Sequence, residues 1–393
     1  MSFKATFSAL FFCLLSLSHR DALCKDDSTI YRGTVGKSQI VIDLWAYQAD
    51  KWDKDNYGFD TLCYGQYFYL SSLQDIKLRG HVKNGEYILE RTEWTRSSED
   101  SVVERFSLHR RDAGYEGVWS GKGKSLPVKL EPLPVTSIHN SYDGLSSVDT
   151  MRNHRELDYV RASLFEVKRD SIRTYQSHRV EWLSIKHSTV SLFEIIDGYD
   201  SAALSRINRR LLDIMIEQAS NELSCCGPGG GEGEYLVSVP SYYFGKNVLS
   251  IDVFVNFTCD GPHPDFGTDS YNFNAHTGDE LELTDITTFG FSAPPPRSDE
   301  YNWFKYHDTL ADYIVEVLEE LYPKEMQPPD SDDCDYSTPD KWKYAGWSFT
   351  DKGIMLSPSI AHVGAPCRDP DWLMLPYAYL NKHRNKKLKI KIP

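Results

Sequence analysis

The chain has 393 residues, a formal net charge of −14 at pH 7, and 24 Tyr and 9 Trp. That length suits two to three domains of roughly 100–200 residues, each large enough for a sizeable core. The negative charge excludes a general nucleic-acid binder, because phosphate is repelled, and the aromatic content excludes a largely disordered chain in favour of a β-rich one.

Residues 1–24 read as a secretory signal. Lys4 precedes the apolar run "ATFSALFFCLLSLS", which breaks at "HRDALCKDD". An apolar stretch of about a dozen residues suits a signal better than a membrane span, which needs about 20. Cleavage after Ser18 puts Ser16 and Ser18 at the two small-residue positions. The competing reading is a lipoprotein anchor at Cys24, against which Leu23 stands where a small residue is wanted. The expected location is therefore periplasmic or extracellular, where disulfides form. The disulfide candidates are Cys225, Cys226, Cys259, Cys334 and Cys367. Cys334 with Cys367 anchors the loop after a helix to the loop before the last strand. Cys259 pairs with Cys225 or Cys226, and these two neighbours are expected to have separate partners. The chain has no CxxC pair, which speaks against a structural zinc site.

Residues 29–134 form an all-β domain. The segments "SQIVIDLWAY", "YGQYFYLSS", "DIKLRGHV", "GEYILERTEW", "ERFSLHRR", "YEGVWSG" and "LPVKLEPL" alternate or run apolar between Gly, Asn and Asp. Short strands at near-regular spacing predict an antiparallel barrel or sandwich. Asn84-Gly85 between two of them predicts a tight hairpin. The phrases "YRGTVG", "YGQYFYL", "IKLRG", "ILERTE" and "GVWSGKGKSLPVKL" resemble a small bacterial extracytoplasmic β-domain. Its signature is structural Gly and aromatic residues, so the resemblance implies a fold and no reaction.

Residues 135–160 are polar and turn-rich and read as a linker. Residues 161–382 mix helix and strand. In "YDSAALSRINRRLLDIMIEQASNEL", Leu204, Ile207, Leu211, Ile214 and Met215 share a helical face. A second helix, "YHDTLADYIVEVLEELYP", ends at Pro323. Strands are expected at "GEYLVSVPSYYFGKNVLSIDVFVNFTC", in the "DELELTDI" segment, around Asp351-Lys352-Gly353 and at "WLMLPYAYL". The fold class is α+β: an N-terminal antiparallel barrel or sandwich, then an antiparallel sheet covered by two helices. Residues 383–393 form a basic tail, either a solvated end or a peripheral contact with anionic lipid or wall polymer.

The second half resembles the C-terminal extracytoplasmic domain shared by RsiV-type anti-sigma factors and PdaC-type peptidoglycan deacetylases. The resemblance spans about residues 165–381 and rests on "IDGYDSAALSRINRRLL", "DGPHPD", "YNFNAHTGDELELTDI", "WSFTDKGIMLSPSIAHV" and "MLPYAYL". Asp260, Pro262 and Asn274 depart from its pattern. It implies binding of a protein ligand such as lysozyme, or work near peptidoglycan. The deacetylase's catalytic portion has no counterpart here.

His263, Asp265, His362 and Tyr377 are the candidate binding residues. His263 is expected to be buried and to fix its turn, with His362 approaching it. The histidines have no HxxxH or HxH spacing, and Asp265, Asp269 and Asp279 do not follow a calcium-loop pattern, so neither a metal nor a cofactor is expected. There is no G-x-S-x-G nucleophile motif. The function expected is a non-enzymatic binding role in the envelope. The alternative is a hydrolase or other enzyme acting on wall glycan.

Overall fold

A computed structural model describes residues 30–93, 101–227, 233–259, 261, 263–290, 300–329, 334–368, 370–386 and 391–392. The expected signal segment, the candidate Cys24 anchor and residues 387–390 and 393 of the basic tail lie outside these residues.

Eight strands close into an antiparallel barrel in simple sequence order. They are β1 Ile30–Val35, β2 Ser38–Gln48, β3 Thr61–Tyr69, β4 Asp75–Lys83, β5 Glu86–Glu93, β6 Ser101–Arg111, β7 Gly114–Gly121 and β8 Lys124–Pro132. Alternation sends Ile40, Ile42, Leu44, Tyr67, Leu78, Leu89, Phe106 and Leu108 inward to form one core. The turn at Asn84-Gly85 has positive φ at both residues, as a two-residue hairpin requires. A Cβ on Gly33 or Gly80 would fall within 2 Å of a neighbouring strand's carbonyl oxygen (1.8 Å to Lys129 O, 1.7 Å to Ile88 O), so both positions need glycine. Closure leaves no open edge. Between β2 and β3 the chain makes a short helix, α1 Lys51–Tyr57, on the outside of the barrel.

Residues 135–160 are not a linker. They fold as a short 3-10 turn, then α2 Ser146–His154 and the start of α3 Glu156–Ala162. Leu145, Val148, Met151, Leu157, Tyr159 and Val160 are buried. The apolar period is genuine but is split by the break at Arg155, too short on either side to stand out in a polar sequence. These side chains join a core that also takes Ile30, Val41 and Phe68 from the barrel's outer face and Leu73 from the β3–β4 connection.

Among the described residues the remainder is α+β, and its sheets pair antiparallel throughout. Three three-stranded sheets share the work: β9 Val167–Tyr175, β10 His178–Ile185 and β11 Ser191–Ile195; β12 Glu234–Phe244, β13 Val248–Thr258 and β14 Asp265–Asn274; and β15 Gly346–Phe349, β16 Gly353–Ser357 and β17 Met374–Pro376. Helix α4, Ser201–Ser224, buries Ile207, Leu211, Ile214 and Met215 in the core it shares with the first two sheets. Asn208 pins it to β11, accepting from Ile195 N and donating to Ile195 O, both at 2.8 Å. Segment 279–286 is an isolated bridge and a helical turn, α5 Leu283–Ile286, rather than a strand. Helix α6, Glu300–Leu321, belongs to a second core with β15–β17. The strand expected at "WLMLPYAYL" stops at Pro376, and Tyr377–Lys382 turns into helix α7.

Two disulfides staple this half. Cys225 at the end of α4 bonds Cys259 just after β13, and Cys334 bonds Cys367. Cys226 belongs to neither of them; it is buried with Sγ 3.5 Å from Asp75 O. Two disulfides fit a protein that folds outside the cytoplasm. Among the described residues no helix is long and apolar enough to cross a membrane.

Candidate functional site

Asp265 lies at the start of β14 and accepts from Arg368 Nη1 and Nη2, both at 3.2 Å. Arg368 also donates Nε to Ile360 O at 2.8 Å and stacks 4.8 Å from the centre of the Phe266 ring. It follows directly on Cys367, which closes the 3-10 turn His362–Cys367. The backbone carrying His362 is therefore held against the start of β14, although the His362 side chain lies outside what is described. His263 is exposed, not buried, with Nδ1 3.0 Å from Pro264 O. At this exposed position the ring shapes no core. Tyr377 does not join this group by any contact seen here: its hydroxyl donates to Thr350 O at 2.6 Å and locks the start of α7 to the hairpin.

Two other regions carry more chemistry. The first is an aromatic face outside the barrel. Trp45 and Tyr64 are register partners on β2 and β3, and Tyr47 lies diagonally across from Tyr64. Their rings are nearly parallel, with centroids 5.7 Å apart for Trp45–Tyr64 and 5.9 Å for Tyr47–Tyr64. Beside them α1 buries none of its residues. It is held by its ends: Asp50 accepts from Asp53 N at 2.8 Å, and Gly58 closes the C-terminus with a bond to Lys54 O. Trp52 is 64% exposed and Tyr57 52%, their rings meeting edge to face at 6.1 Å. Burial, Tyr64 and Asp53 together hold the Tyr47 hydroxyl above its usual range, so the Asp53 carboxylate of α1 interacts with the ring stack through Tyr47.

The second is a polar seam where α4 meets α2, α3 and β14. Arg210, Asp213, Glu217 and Asn221 recur along one side of α4. Asp213 accepts from Ser147 N at 2.9 Å, Ser147 Oγ at 2.5 Å and Arg210 Nη1 at 3.0 Å. Arg210 also reaches Glu280 at 3.3 Å and lies over the Tyr271 ring. Arg155 donates to Asn221 at 3.2 Å. Burial pushes the Glu217 carboxyl up to about 7; Asp213 and Asp269 add repulsion, and Arg210 and Arg155 oppose it. A carboxyl titrating near neutrality suits proton transfer, but ion-pair networks produce the same shift without chemistry.

Near one end of the barrel an open crevice of about 400 Å³ borders Glu104, Arg105, Gly121, Lys122 and Lys124. The Glu104 carboxylate there is fully engaged by Tyr67 Oη at 3.0 Å, Trp119 Nε1 at 2.9 Å and Arg91 Nε at 2.9 Å. Among the described residues no three His, Cys, Asp or Glu side chains are grouped to hold a metal ion.

Sequence reasoning missed both regions. The density of rings and aspartates in "WAYQADKWDKDNYGFDTLCY" was the available signal for the first. The second needs tertiary contacts. No protein-family model matches the chain, and no curated protein matches it in sequence.

Proposed function

We propose that the chain is an exported bacterial envelope protein that binds a wall-associated ligand without turning it over. The ligand is a protein, such as a lysozyme, or peptidoglycan. The observation that supports this reading is α1: a seven-residue helix that buries nothing yet displays Trp52 and Tyr57 on a closed barrel. Such a short helix is marginal in water, and exposed Trp and Tyr on a rigid base are what binding surfaces use. The motif resemblance of residues 165–381 supports the envelope setting.

A second reading, an enzyme acting on wall glycan, draws on Glu217. Its raised carboxyl and the nearby Asp213 and Asp269 are a pattern that acid–base chemistry uses. The two readings separate in one experiment. Purified chain is incubated with peptidoglycan sacculi and, separately, with immobilised lysozyme. The binding reading expects retention on one of them and no soluble muropeptide or acetate. Released products that disappear in Glu217→Gln would establish the enzyme instead.

A further inference from the structure

We propose that the α1 face of the barrel docks a basic, arginine-bearing protein surface. This rests on the binding reading above and narrows the partner to one chemistry.

The charge on the face is the first argument. Asp50, Asp53, Asp55 and Asp60 lie in the segment that carries Trp52 and Tyr57, against Lys51 and Lys54. Lys54 is tied to Asp60 at 2.9 Å. What remains is a net negative charge on the segment that bears the exposed rings. An anionic polymer is repelled by it, and a neutral glycan uses the rings but gains nothing from the carboxylates. A guanidinium uses both, because it stacks flat on an aromatic face while its edge forks to a carboxylate.

The second argument comes from the protein's own interior. Arg161 lies 5.1 Å from the centre of the Phe68 ring while pairing with Asp75. Arg368 lies 4.8 Å from that of Phe266 while pairing with Asp265. Arg210 lies 5.2 Å from that of Tyr271 while pairing with Asp213. The α1 face offers the ring and carboxylate halves of this arrangement to solvent. Trp52 and Tyr57 supply rings, and Asp53, on the same helix and interacting with the Tyr47 hydroxyl, supplies a carboxylate.

The test is fluorescence anisotropy of labelled hexa-arginine, with hexa-lysine, a glycine–serine hexapeptide and a soluble muropeptide as comparisons. The full mature chain is measured beside Trp52→Ala/Tyr57→Ala and Asp53→Asn/Asp55→Asn. Because α1 buries nothing, both double variants should melt with the parent. Hexa-arginine should bind more tightly than hexa-lysine, weaken as salt rises, and lose about tenfold in affinity in each variant. The proposal is overturned if hexa-arginine fails to bind, binds no better than hexa-lysine, or binds the Trp52/Tyr57 variant as well as the parent. It is also overturned if the muropeptide is the probe lost in that variant. If the ring variant retains the wall ligand as fully as the parent, the α1 proposal fails while the binding reading stands. If the parent retains no wall ligand at all, the binding reading itself fails.

Discussion

Asp75 of β4 and Arg161 of α3 form a fully buried ion pair where the barrel meets the rest of the chain. Asp158 shares the same guanidinium at 2.6 Å, and Gln66 of β3 donates to Asp75. Two carboxylates thus compete for one buried cation. Burial, reinforced by Asp158, pushes Asp75 up to about 6 although Arg161 opposes it. Asp158 is also buried, yet Arg155 and Arg161 hold it below the usual range. The joint between the two halves is therefore a desolvated charge network, and its integrity depends on Arg161.

Arg161→Met should destabilise the protein by about 3–5 kcal/mol at neutral pH, since it strands buried carboxylates. Its deficit should shrink as pH falls. Without the cation, Asp75 binds a proton in the folded state at a pH where the unfolded chain has lost it, so acid favours folding. Urea unfolding of parent and variant between pH 5 and pH 8 measures this. A deficit independent of pH would remove the network from the account.

Glu217 gives a second pH dependence of the same sign. Its folded value, near 7, lies above that of an unfolded glutamate. The stabilising contribution is full in acid and is lost as pH rises through about 7. Glu217→Gln should therefore leave stability at pH 4.5 nearly unchanged and raise it at pH 8, by about 1–2 kcal/mol after allowing for solvent screening at this half-buried group. Denaturant midpoints at the two pH values decide it. A variant equally destabilised at both would show that the carboxylate is needed in its charged form.

Much of the barrel was legible because its signals are local. Inward alternation, the Asn84-Gly85 turn and the glycines at strand crossings depend on neighbours close in sequence. The α4 face was legible for the same reason. The segment 135–160 was not, because α2 and α3 are short and their apolar positions acquire meaning only against the barrel's outer face. The α6 helix was visible as a helix, but nothing local says that it serves a separate core with β15–β17. Asp265 was legible as a polar turn residue, whereas its partner Arg368 is 103 residues away. Glu217 reads as one more charge on a helix until β14 brings Asp269 alongside.

The Cys334–Cys367 bond joins the segment after α6 to the turn that precedes Arg368. Cys334→Ser should cost about 2–4 kcal/mol of stability. It should also loosen the Asp265–Arg368 contact, seen as faster amide exchange at Phe266 and Gly267. The Cys225–Cys259 bond should persist in that variant by non-reducing peptide mapping. Unchanged exchange at the start of β14 would show that Arg368 holds its place without the disulfide.

The central claim, binding without turnover through the barrel's aromatic face, is tested most directly by co-sedimentation with a total cell-wall fraction that retains its bound proteins. Parent and Trp52→Ala/Tyr57→Ala chains are sedimented in parallel, and the supernatants are assayed for released muropeptides and acetate. The account predicts that the parent sediments, the double variant stays largely in the supernatant, and neither releases product. Product release by the parent, or equal sedimentation of both chains, would contradict it.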